Sequence, residues 1–79
     1  MIEELKNIPA REWIHVLESD GFQLRKGKGS HHIYQHPDKR RVLIVYHSLH
    51  DTFGPKTLKS LLQDSGWTRD DLKRFELIK

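Results

Sequence analysis

Cysteine is absent from this chain, which removes both a disulfide framework and a zinc site built on thiolates as ways of stabilising a small domain. Packing must do that work, and a reducing cytoplasm fits. Long apolar runs are missing too. The longest, Val42 to Tyr46, falls far short of the roughly 20 residues that cross a bilayer, and Met1-Ile2-Glu3-Glu4 lacks the basic-then-apolar order of a signal peptide. No repeat, low-complexity segment or linker interrupts the chain. Its 79 residues therefore predict one domain over 1–79, because a chain of this size buries only about two-thirds of its unfolded surface and has nothing left for a second core.

What is present is unevenly placed. The 14 Lys and Arg exceed the 11 Asp and Glu by 3, and six of the cations lie between Arg25 and Arg41 with Asp38 as the single acid there. The acids gather instead at Glu3, Glu4, Glu12, Glu18 and Asp20, and again at Asp64, Asp70, Asp71 and Glu76. A basic middle between acidic ends suits a polyanionic partner, and an ordinary solvated hairpin accounts for it equally well.

Pro9 suits a first helical position, and Gly21 supplies the stop. Between them Ala10, Trp13, Ile14 and Leu17 keep the i, i+3, i+4, i+7 spacing of an apolar helical stripe. Phe22-Gln23-Leu24-Arg25 alternates like a half-buried strand that ends at the Gly27 and Gly29 turn. His31 to His36, closed by Pro37-Asp38, and Arg40 to Tyr46 predict two further strands. Gly54-Pro55 opens a helix with Leu58, Leu61 and Leu62 on one face and Gly66 at its end. Thr68 and Asp71 have capping-box spacing, so Arg69 to Glu76 predicts a short last helix that buries Leu72 and Phe75. The expected fold is α+β. It has the order αβββα, a three-stranded antiparallel sheet with the helices on one face, and a short C-terminal helix, as in double-stranded-RNA-binding domains. Trp13, Leu17, Val42, Ile44, Leu58 and Leu61 are its expected core.

Arg25-Lys26-Gly27-Lys28-Gly29-Ser30-His31-His32 combines cations, glycines and imidazoles in eight residues. Cations hold phosphate, glycines let backbone N–H groups approach it, and histidine exchanges protons near neutrality. The glycine spacing matches neither the Walker pattern nor a dinucleotide fingerprint. His31 and His32, adjacent on a strand, point to opposite faces. His31 goes with Ile33 and Gln35, and His32 with Tyr34 and His36; the sequence leaves open which set meets the core. On a strand His32 and His36 stand about 13 Å apart, too far for one ion, and no metal site is expected. A Ser30-His31 nucleophile pair diverges and lacks an orienting carboxylate. The basic middle holds no carboxylate pair for glycosidase-type or two-metal chemistry.

Leu17, Asp20-Gly21-Phe22, Lys28-Gly29-Ser30-His31-His32-Ile33-Tyr34, His36-Pro37, Arg41-Val42, His47 and Pro55-Lys56-Thr57-Leu58 with Leu61 and Gly66 together resemble the HicA family, also called YcfA-like, over most of the chain. The resemblance implies a double-stranded-RNA-binding-like fold and a metal-independent mRNA interferase, with no cofactor. It also implies a HicB-type antitoxin that covers the active site. The family's catalytic histidine follows Gly-Ser and falls on His31. Val45 and Ser48 stand where family members often carry proline and glycine. The mechanism expected from these residues has His31 activate a ribose 2′-OH as general base while Lys26 and Lys28, with Arg40 as a further candidate, stabilise the phosphorane. Gly29, Ser30, Arg41 and Lys56 complete the expected RNA contacts. His47 is a candidate second proton carrier, although a cap or hydrogen-bonding role has more weight. A catalytically silent RNA-binding module and a small protein-interaction domain remain alternatives on the same basic face.

Overall fold

In the computed structural model, which describes residues 2–79, the chain forms α1 (Ile2–Leu5), α2 (Ala10–Asp20), β1 (Gln23–Lys28), β2 (His31–Gln35), β3 (Arg41–Val45), α3 (Pro55–Ser65) and α4 (Arg69–Arg74). The three strands make one antiparallel sheet in chain order, with β2 at its centre. This is the expected α+β architecture with one addition, α1. Glu3 and Glu4 occupy half of its four residues and only Leu5 is buried, so no apolar period announces it.

Pro9 caps α2 from outside rather than opening it. With no side-chain cap available, the Ala10 and Arg11 N–H groups donate to the carbonyls of Asp51 and Leu49 at 2.7 and 3.1 Å, which ties the loop after β3 to the start of the helix. Trp13, Val16 and Leu17 from α2 and Leu58, Leu61 and Leu62 from α3 bury together against Tyr34, Val42 and Ile44 of the sheet. Val16 joins the stripe, whereas Ile14 is only half-buried at its margin.

Burial along β3 alternates, with Val42 and Ile44 inward and Arg41, Leu43 and Val45 outward. The parity left open in β2 is decided by Tyr34, which is 3% exposed. Tyr34 and His32 face the helices, and His31, Ile33 and Gln35 belong to the open face. β1 departs from expectation, since every residue from Gln23 to Lys28 is exposed. It is an edge strand beyond the reach of the helices, and Phe22, the apolar residue expected to start it, leaves the sheet for the core beside Trp67, with ring centroids 6.3 Å apart. Gly27 continues the strand, and the turn is made by Gly29, at φ +59°, and Ser30.

Thr68 and Asp71 form the capping box at α4. The helix stops at Arg74 rather than Glu76 because Glu76 takes a left-handed φ of +63° and the Leu77 N–H turns back to the Leu72 carbonyl at 2.9 Å. Leu72 is buried, and Phe75 packs half-buried against Trp67.

Candidate functional site

Direct cross-strand partners share a face of the sheet and bring their Cβ atoms within about 4.5–5.5 Å. The pairing of β1 with β2 and of β2 with β3 therefore organises the open face into three rows: Lys28–His31–Val45, Lys26–Ile33–Leu43 and Gln23–Gln35–Arg41. Lys28 is the immediate neighbour of His31, and Lys26 stands one row away. His31, Lys26, Lys28 and Arg41 are all exposed. No carboxylate occupies any of the three rows, so a polyanion meets cations and neutral groups only.

The hairpin turn holds His31 at the head of the central strand. Gly29 takes its positive φ at the first of two turn positions, as a tight hairpin requires. The Ser30 carbonyl accepts from the Tyr46 N–H at 3.0 Å, which fastens the end of β3 behind the turn. Behind His31, on the core-facing side, the His32 ring stacks on Tyr46 with centroids 4.0 Å apart and planes 9° apart. His32 Nδ1 is buried with no hydrogen-bond partner among the described residues. His32 is thus a packed residue and His31 an accessible one.

Lys56 lies in the first turn of α3, and with Thr57 and Ser60 it borders a groove whose other side is Leu43, Val45 and Phe53. It flanks the row that contains His31. His47 is exposed just beyond β3, at the same end of the sheet. Its backbone N–H and that of Ser48 donate to Asp51 Oδ2 at 2.8 and 3.1 Å. Those two N–H groups hold the Asp51 carboxyl below its ordinary range, and they close the loop in which Ser48 stands.

Arg40 does not join this group. Its Nε donates to Asp38 Oδ2 at 2.7 Å and its Nη1 to the Ser65 carbonyl at 2.6 Å, Asp20 Oδ2 stands 3.1 Å from Nη1, and the guanidinium lies over the Phe22 ring. A cation so engaged is turned into the protein and away from the open face. Adjacent in sequence, Arg41 takes the outward position that the strand's alternation gives it. His36 is likewise internal: its Nε2 donates to the Asp20 carbonyl at 2.7 Å and its Nδ1 accepts from the Asp38 N–H at 3.1 Å. Among the described residues no three His, Asp or Glu side chains gather closely enough to hold a metal ion, and no helix is long and apolar enough to cross a membrane.

An exposed imidazole whose direct cross-strand partner is a lysine, on a face whose strand rows hold no carboxylate, can accept a proton and stabilise an anion within one row of the sheet. The sequence model of a family described as the HicA toxin of bacterial toxin-antitoxin systems matches residues 10–67, a span that includes α2, the whole sheet and α3. No curated protein matches the chain.

Proposed function

This chain belongs to the HicA toxin family of bacterial toxin-antitoxin systems, and on that premise we propose that it is an endoribonuclease that cleaves mRNA with His31 as its catalytic histidine. The observation that carries the reading is the cross-strand pairing of Lys28 with His31 on the face that lacks carboxylates. His31 takes the proton of a ribose 2′-OH, whose oxygen attacks the adjacent phosphorus. The bond from phosphorus to the 5′-oxygen then breaks, and that oxygen receives a proton, for which His47 is our candidate donor.

Lys28 and Lys26 stabilise the charge that grows on the phosphorane, and such a role needs only fixed cations. Arg41 and Lys56 hold flanking phosphates, and the Gly29-Ser30 turn lets the RNA backbone come close. Arg40 is left out of this scheme, because its Nε and Nη1 are engaged by Asp38, Asp20 and the Ser65 carbonyl. No metal or cofactor enters the scheme. The partner is a HicB-type antitoxin that covers this face, and the exposed Leu43 and Val45 beside the cations suit such a protein contact. mRNA as substrate makes the cytoplasm the site of action.

The test compares His31→Ala with the parent on single-stranded RNA. Loss of a general base reduces the rate by about 10² to 10⁴, with the circular dichroism spectrum and RNA affinity retained and with no response of the parent to added chelator. His32→Ala serves as control, since it loses the stack on Tyr46 and is expected to lower stability and keep cleavage. A folded His31→Ala protein that cleaves at the parental rate overturns the reading.

A further inference from the structure

Two departures from regular backbone bring cations to the end of the open face that lies away from His31. The register of β1 against β2 slips between Leu24 and Lys26, so Arg25 is the extra residue of a bulge, a device that re-aims a side chain. In the turn between β2 and β3, Lys39 holds a φ of +80°, a conformation that glycine adopts freely and a lysine only under strain. Both residues line the same cleft, of about 250 Å³, together with Gln23, Gln35, His36 and Pro37.

Gln23 and Gln35 are direct cross-strand partners on the face that carries His31, and both are exposed. The cleft is thus lined by two neutral amides, each with a donor and an acceptor, and by two cations. Its wall is rigid. His36 is fixed at both ring nitrogens, and the turn is held by Asp38, which accepts from the Arg40 N–H at 3.0 Å and from its guanidinium at 2.7 Å.

We propose that this cleft is a nucleobase-binding subsite that sets the sequence preference of RNA cleavage, an inference that rests on the ribonuclease reading above. Amides read the donor and acceptor edge of an unstacked base, and flanking cations take the phosphates on either side. The volume is below the roughly 300 Å³ of pockets that enclose whole small-molecule ligands, and a single base is a fragment of suitable size. Gln35 is four residues along β2 from His31, on the order of 13 Å. The base held there consequently belongs to a nucleotide set apart from the scissile bond.

The experiment digests an RNA pool randomised around a central region with the full chain and reads the base frequencies at each position relative to the cut. The parent is expected to show a preference at one position removed from the cut. In Gln23→Ala/Gln35→Ala the ratio of most to least favoured base at that position falls about tenfold, while the salt dependence of RNA affinity is unchanged because no charge is lost. Gln35→Glu, which replaces the amide donor with an acceptor, shifts the preferred base. Arg25→Ala/Lys39→Gly weakens binding to all sequences alike. A folded double-amide variant that retains the parental base profile overturns the subsite, as does a parent that cuts with no preference away from the cut. A parent that does not cleave RNA at all overturns the ribonuclease reading itself.

Discussion

Arg40 Nη1 stands 3.1 Å from Asp20 Oδ2, and the same carboxylate oxygen accepts from the Trp67 indole N–H at 2.9 Å. The last residue of α2, the turn between β2 and β3 and the segment after α3 therefore meet at a single carboxylate. Arg40 also donates to the carbonyl of Ser65, the final residue of α3, where a cation is favoured by the helix dipole. The result is a clamp at the end of the sheet opposite His31, which leaves the hairpin at Gly29 and Ser30 free to meet a ligand.

Arg40→Ala is expected to lower stability by about 2 kcal/mol, in the range for hydrogen bonds to charged groups. That corresponds to a fall of roughly 10 °C in Tm for a domain of this length. Arg40→Lys recovers only part of the loss, because one ammonium cannot reach Asp20, Asp38 and the Ser65 carbonyl in the geometry of a guanidinium. Thermal melts of both variants check this, and unchanged midpoints contradict the clamp.

Trp13 is fully buried and stacks on Trp67 with centroids 6.3 Å apart and planes 10° apart. Trp13→Ala should cost about 3 to 5 kcal/mol, a large share of what a small domain has. Trp13→Phe should cost much less, since Trp13 Nε1 is buried with no partner among the described residues and its removal relieves an unpaired donor. Urea titrations of the two variants separate the packing of the ring from the polarity of its edge.

Helical spacing made the core residues of α2 and α3 legible in the sequence, because Trp13, Leu17, Leu58 and Leu61 repeat at the period of the element that buries them. Glycines and the capping pair of Thr68 and Asp71 marked the ends of elements for similar local reasons. The faces of β2 were not legible. Ile33 and Tyr34 are both apolar, and only the burial of Tyr34 under the helices decides between them. Leu24 misled for the opposite reason: alternation reads as burial, yet an edge strand has nothing to be buried against, and Leu24 is 52% exposed. Arg40 and Arg41 differ by one residue and look equivalent in a basic stretch. Their separation depends on Asp20 and Ser65, which come from distant parts of the chain. The bulge at Arg25 has no residue type that announces it, so the cleft with Gln23 and Gln35 is visible only in three dimensions.

The pH dependence of stability should have two edges. Burial, with smaller contributions from the charges of Tyr46 and Glu18, raises the Tyr34 hydroxyl from 10.0 to about 12. A group whose pKa is raised on folding contributes stability that is complete below its unfolded value and lost as pH rises through its folded value. Alkaline destabilisation is therefore expected between pH 10.0 and about 12, and Tyr34→Phe should flatten it. At the other edge, Asp38, Asp51 and Asp71 are held below the ordinary carboxylate range by backbone N–H donors from Arg40, His47 with Ser48, and Thr68 respectively. The stability they contribute is present above that range and lost as pH falls beneath it. Unfolding free energies measured across both edges check the signs.

RNA affinity should fall steeply with salt, and the slope should depend on which cation is removed. Each phosphate contact to a single strand contributes about 0.7 to the slope of log affinity against log salt concentration. Lys28→Ala and Lys26→Ala should each reduce the slope by about that amount, because both side chains lie on the open face in the rows of His31 and Ile33. Arg41→Ala should behave in the same way, at the opposite edge of the face. Arg40→Ala should leave the slope unchanged at a temperature where the variant is folded, since its guanidinium is held by Asp20, Asp38 and the Ser65 carbonyl. The contrast between two adjacent arginines separates local phosphate contact from the mere total of positive charge, which both variants lower equally. Fluorescence anisotropy on a short single-stranded RNA at several salt concentrations measures it. Equal slopes for Arg40→Ala and Arg41→Ala would mean that the open face of the sheet is not where RNA binds.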